Sequence, residues 1–166
     1  MNQMLTKTQA KILEIFVSKI TARFSIKQVS EILKKPYPLI HRSIKVLIEH
    51  RYIIKDEKEL LSLNYKENIS EFSYIESLRK KEFLEKDKTL SLFVKDVINK
   101  SKIDYFIFLI FGSSVESKSP KDIDILIIIE DKDKISEFER FAENIGTNFS
   151  KKFDINAISL DSAYEI

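Results

Sequence analysis

Apolar residues recur at helical spacing along the first third of the chain. In "TQAKILEIFVSKI" (8–20), Ile12, Ile15, Phe16 and Ile20 fall on one stripe of a helix. The next segment, "SIKQVSEILKK" (25–35), opens on Ser25 with Gln28 three residues later, a capping-box pattern. Val29, Ile32 and Leu33 are its expected inward positions. "PYP" (36–38) stops that helix, because proline fixes its own φ and disfavours helix in the residue before it. A third helix is expected over "LIHRSIKVLIEHR" (39–51), with Ile40, Ile44, Leu47 and Ile48 inward and His41, Arg42, Ser43 and Lys45 on the other face. "YIIKDEKELLSL" (52–63) then reads as two short strands around the polar tip Asp56-Glu57-Lys58.

Residues 69–101 contain neither glycine nor proline and are helical in pattern, most clearly where Leu90, Phe93, Val94, Val97 and Ile98 make one stripe. The period then changes. "DYFIFLIF" (104–111) and "DIDILIII" (122–129) are buried strands. "DKDKISEFERFAENIG" (131–146) is a helix with Ile135, Phe138, Phe141, Ala142 and Ile145 inward and Gly146 at its C-terminal cap. "KKFDINAISL" (151–160) is a third strand, alternating Phe153, Ile155 and Ala157 against Asp154, Asn156 and Ile158. The expected class is therefore α+β, in three parts. They are a helical domain with a hairpin (1–68), a helical connector (69–101), and a small mixed-sheet domain (102–166).

Composition changes this picture in two ways. The chain has no cysteine, which excludes disulfides and thiolate metal sites and suits a reducing interior. The start of the chain lacks a signal-peptide core and no apolar run approaches a membrane span, so a cytoplasmic protein with no membrane partner is expected. The formal net charge of +2 hides an asymmetry. Residues 1–68 hold 13 Lys/Arg against 7 Asp/Glu, and residues 69–166 hold 15 against 19, so the two halves suit different partners.

The order of helix, helix, tight turn, helix and hairpin over residues 5–65 resembles a winged helix-turn-helix domain. That resemblance implies that the third helix lies in the major groove of double-stranded DNA. Arg42, Ser43 and Lys45, with His41 nearby, would then meet bases and phosphates. "EHRY" has no glycine where such a helix usually ends. The alternative for this part is a helical domain that binds protein or pairs with a second copy.

The stretch "FGSSVESKSPKDIDILIII" (111–129) carries the candidate chemistry. Residues i and i+2 of a strand project from one face, so Asp122 and Asp124 point the same way. Two bare carboxylates beside a core repel each other unless a cation lies between them, and a hard divalent ion such as Mg²⁺ suits oxygen ligands. Gly112 would let backbone N–H groups approach a phosphate. Paired carboxylates with a phosphate cradle are the equipment of metal-assisted phosphoryl transfer.

An apolar strand, Gly-Ser, a loop and then Asp-apolar-Asp, here "IFGSS" and "DIDIL", resembles the DNA polymerase beta-like nucleotidyltransferase superfamily over residues 104–160, especially its minimal members. The resemblance implies that Asp122 and Asp124 hold Mg²⁺ or Mn²⁺. Gly112 and Ser113, with Ser114 and Lys121 beside them, would hold a nucleoside triphosphate, and Asp154 is the candidate third carboxylate. The activity implied is transfer of a nucleoside monophosphate to a hydroxyl. The alternative is a winged-helix regulator whose second domain senses nucleotide or mediates a homodimer, or a toxin–antitoxin component that meets a partner protein. Glu116, where many members of the superfamily carry arginine, favours that alternative.

Overall fold

A computed structural model describes residues 5–116 and 122–165 of the chain. These residues form eight α-helices and two small sheets, an α+β architecture, and divide into two compact units, Met1–Phe83 and Leu84–Ile166. No helix among them is long and apolar enough to cross a membrane.

The first unit begins with α1 (Lys7–Ser18), opened by a capping box between Thr6 and Gln9 that the apolar pattern does not reveal. Its core residues are Ile12, Leu13 and Phe16. Ile20, expected on the same stripe, is exposed, because the helix ends at Ser18 before the stripe reaches it. In α2 (Ile26–Leu33) the expected box is formed: Gln28 N–H donates to Ser25 Oγ at 3.2 Å and Ser25 N–H donates to Gln28 Oε1 at 2.7 Å. Val29 is buried and Leu33 packs against the core, whereas Ile32 faces solvent. α3 (Tyr37–Glu49) starts on Pro36 and buries Ile40, Ile44 and Leu47.

Arg51 supplies what a glycine would at the end of α3. It adopts φ 59, its N–H donates to Ile48 O, and Tyr52 N–H donates to Leu47 O, the Schellman pattern that closes a helix. Arg51 O in turn accepts from the side-chain amides of Asn64 and Asn68 at 2.8 and 3.1 Å. The antiparallel hairpin β1 (Ile53–Lys55) and β2 (Leu61–Leu63) follows, and Phe24, between α1 and α2, exchanges both backbone bonds with Leu61.

The segment expected as a connector holds two helices with different loyalties. α4 (Ile69–Lys86) buries Phe72 and Ile75 in the first core. α5 (Lys88–Lys100), capped by Asp87, buries Leu90, Phe93, Val94 and Val97 in the second unit.

In that unit β3 (Phe106–Phe111) runs antiparallel to β4 (Asp122–Ile129), which runs parallel to β5 (Lys152–Ser159), giving the order β3-β4-β5. A four-residue helix, α6 (Ser113–Glu116), leaves β3. A 3₁₀ turn (Lys132–Lys134) and α7 (Ile135–Gly146) cross over from β4 to β5, and α8 (Leu160–Tyr164) follows the sheet. One face of the sheet is covered: Ile123, Ile125, Ile127 and Ile129 of β4 are all buried with Phe138, Ala142 and Ile145 of α7. Phe93 stacks on Phe153 at 3.9 Å between ring centroids and tilts against Phe108. Gly146, expected as a cap, is the last helical residue instead; Thr147 continues at φ −61.

Candidate functional site

The opposite face of the sheet carries the predicted acids. Asp122 and Asp124 alternate with the buried isoleucines, so both leave the core at the start of β4. In the parallel ladder Asp124 pairs with Asp154 and Asp122 with Lys152, and in the antiparallel ladder Asp124 pairs with Phe111. Three carboxylates on two strands thus share one face at one end of the sheet. At a strand spacing near 5 Å, a pair of such charges repels by about 1 kcal/mol in water. Lys152 brings a cation to the same end, a residue that the alternation Lys152-Asp154-Asn156 marks and that the acid pattern alone passes over.

Gly112 sets the position of Asp124. It adopts φ 71, and a Cβ built on it would lie 2.1 Å from Asp124 Oδ2. The conformation favours glycine there, and a side chain would also displace the Asp124 carboxylate. The turn it makes leads into α6, where Ser113 is exposed while Ser114 is buried and donates from Oγ to Phe111 O at 2.7 Å. Ser114 therefore ties the turn to the end of β3, and its hydroxyl is already engaged. Lys121 lies outside the described residues. Gly112, Ser113, Asp122, Asp124 and Asp154 are the predicted residues brought to one end of the sheet. The donor set is all oxygen, which is the chemistry of a hard cation. Even so, no three His, Asp or Glu side chains among the described residues converge closely enough to hold a metal ion.

In the first unit, His41, Arg42 and Lys45 are exposed together on the outer face of α3. Ser43 is half-buried and lies to one side of them. Tyr37 joins this surface, stacked on His41 with ring centroids 6.0 Å apart, and Arg42 Nε donates to Pro38 O at 3.3 Å. The hairpin tip is of mixed charge. Asp56 Oδ1 accepts from the N–H groups of Lys58 and Leu60, Asp56 Oδ2 accepts from Arg23 at 3.2 Å, and Lys55 pairs with Glu59, so Asp56, Glu57 and Glu59 are matched by Arg23, Lys55 and Lys58.

No protein-family model matches this chain, and neither a curated protein nor a solved structure does.

Proposed function

We propose that the chain is a DNA-binding protein whose second unit is a nucleotidyltransferase-like domain. That domain would move a nucleoside monophosphate from a nucleoside triphosphate to a hydroxyl. The observation that carries this reading is the fit of Gly112 under the Asp124 carboxylate, with Asp154 beside Asp124 in the ladder. Glycine takes φ 71 without strain, and the space left by its missing Cβ is occupied by a carboxylate oxygen of Asp124.

Asp122, Asp124 and Asp154 carry the oxygen ligands that Mg²⁺ or Mn²⁺ prefers, and would hold the ion only once drawn together around it. When bound, the ion supplies charge neutralisation for the triphosphate and for the oxygens of the displacement. Gly112 keeps the turn free of side-chain bulk, which leaves room for the Asp124 carboxylate against it. The exposed carboxylate of Asp154 accepts the proton of the acceptor hydroxyl. The acceptor oxygen forms its bond to the α-phosphorus, the bond from that phosphorus to the bridging oxygen breaks, and pyrophosphate leaves.

For the first unit, the reading is a winged helix-turn-helix. It is supported by the cationic face of α3 and by the single bridge of Phe24 to the hairpin. A second reading, a regulator that binds nucleotide or a partner protein without transfer, is favoured by two features. The carboxylates do not converge, and Lys152 stands in register with Asp122.

Titrating Mn²⁺ with ATP into the protein separates the two. Binding should raise thermal stability by about 2.7 kcal/mol at a hundredfold excess over Kd. Asp124→Asn should abolish the Mn²⁺-dependent part of that response, and labelled nucleotide should appear on an acceptor in cell extract only with the wild type. Mn²⁺-dependent nucleotide stabilisation without labelling would select the nucleotide-binding regulator, and no response to ion or nucleotide would dismiss the transferase and leave the regulator only its partner protein.

A further inference from the structure

We propose that the second unit carries a separate mononucleotide site on the helix-covered side of its sheet, remote from the carboxylates. A cavity of about 290 Å³ opens between the end of α5 and the start of α7. Its rim holds Lys100, Lys102 and Lys134, and its floor is Ile103, Phe138 and Phe141. That volume is at the small end of ligand sites, which begin at about 300 Å³. Phe138 packs on Phe106, whose ladder partner is the buried Ile129, so the cavity lies on the face opposite Asp122 and Asp124.

The three lysines are available to an anion. Lys102 is exposed and makes no ion pair with any described residue. Lys100 pairs with Asp96 at 2.7 Å and Lys134 with Asp131 at 3.4 Å. Both pairs are at the surface, where such pairs contribute little, so either ammonium group can turn to a bound phosphate at small cost.

The rest of the lining selects the body of the ligand. A second hollow of about 470 Å³ adjoins the first, sharing Glu137 and Phe141 and adding Arg140, Asn144 and Ile145. Phe141 offers a flat apolar surface to a base, and the side-chain amide of Asn144 can both donate to and accept from a base edge. Glu137, which lines both hollows, can accept hydrogen bonds from sugar hydroxyls. Lysines at one end, an acceptor shared by both hollows, and at the other an aromatic with an amide and Arg140, whose planar guanidinium can stack on a base, follow the order phosphate, ribose, base.

The test is a fluorescence titration of the full chain with N-methylanthraniloyl-AMP in EDTA, which silences any cation-dependent binding at the carboxylate end. Saturable binding is expected, displaced by AMP and at least tenfold more weakly by adenosine or inorganic phosphate. Lys102→Glu should weaken binding by about tenfold or more, Lys102→Arg should restore it, and Asp124→Asn should leave it unchanged. Lys102 is exposed, so circular dichroism should find both variants folded. The proposal is overturned by an absence of saturable binding at millimolar ligand, by indifference to Lys102→Glu, by equal displacement with inorganic phosphate, or by loss in Asp124→Asn.

Discussion

Gly112→Ala isolates the fit between the turn and Asp124. Alanine at φ 71 incurs the left-handed penalty, about 1–2 kcal/mol. Its Cβ, 2.1 Å from Asp124 Oδ2 and 3.1 Å from Cγ, also forces the carboxylate out of place. Pushing that side chain off its rotamer adds about 1 kcal/mol. The second unit should therefore lose about 2–3 kcal/mol, and amides of β3 and β4 should exchange roughly 30- to 150-fold faster by hydrogen-exchange mass spectrometry. Peptides from the first unit should be unaffected. In an Asp124→Ala background the obstructing carboxylate is gone and only the backbone penalty remains, so the same substitution should accelerate exchange roughly tenfold. An equal cost in both backgrounds would refute the reasoning, since the carboxylate would then have no part in requiring glycine.

Arg51→Gly should stabilise the first unit by about 0.5–1 kcal/mol in thermal melts, because glycine takes the left-handed position without strain, and Arg51→Val should destabilise it. Removing the pairing with Glu67, 3.9 Å apart and largely exposed, subtracts little. Arg42→Ala with Lys45→Ala should weaken duplex binding and reduce the log–log salt slope by about 0.9 for each phosphate no longer neutralised; an unchanged slope would remove α3 from the interface. Burial raises the pKa of Asp87, but the Lys151 side chain and the N–H groups of Leu90 and Thr89 outweigh it and hold the carboxyl below its usual value. A depressed carboxylate contributes stability above its unfolded pKa of about 4 and loses it as pH falls through the lower folded value. Urea melts of Asp87→Asn should show a shallower acid limb below pH 4 than the wild type.

Much of this was legible in the chain because the signals are local. The Ser25–Gln28 box needs only a four-residue spacing, and the shared face of Asp122 and Asp124 needs only strand alternation. What escaped depends on where elements stop and what they meet. A helical stripe drawn to Ile20 presumes that α1 continues, yet Lys19 at φ −142 has already left the helix. In the eight residues of α2 only a narrow arc meets the core, so Val29 and Leu33, four apart, face it while Ile32 passes over its edge. The split of residues 69–101 was hidden because charged residues dilute α4, whose buried residues are just Phe72 and Ile75. Ser114 shows the remaining limit: a Gly-Ser-Ser string does not say which hydroxyl turns inward to Phe111 O. The pairing of Asp154 with Asp124 could be proposed from adjacency of strands, but its register is a property of the assembled sheet.

The buried face of β4 is isoleucine at all four positions, Ile123, Ile125, Ile127 and Ile129. Such a strand is ambiguous in a way that an ordinary core strand is not. Sliding it by two residues replaces isoleucine with isoleucine along most of its inner surface, so hydrophobic packing scarcely distinguishes the true alignment from its neighbour. A slip by one is forbidden by alternation, but a slip by two is not. The discrimination falls to the outer face, where such a slide would put Asp122 or Leu126 beside Phe111 in place of Asp124. Of the three, leucine has the branched bulk least able to lie over Gly112. The turn at Gly112 thus works as a keyway for β4, closed to the slide that would bring Leu126 over the glycine.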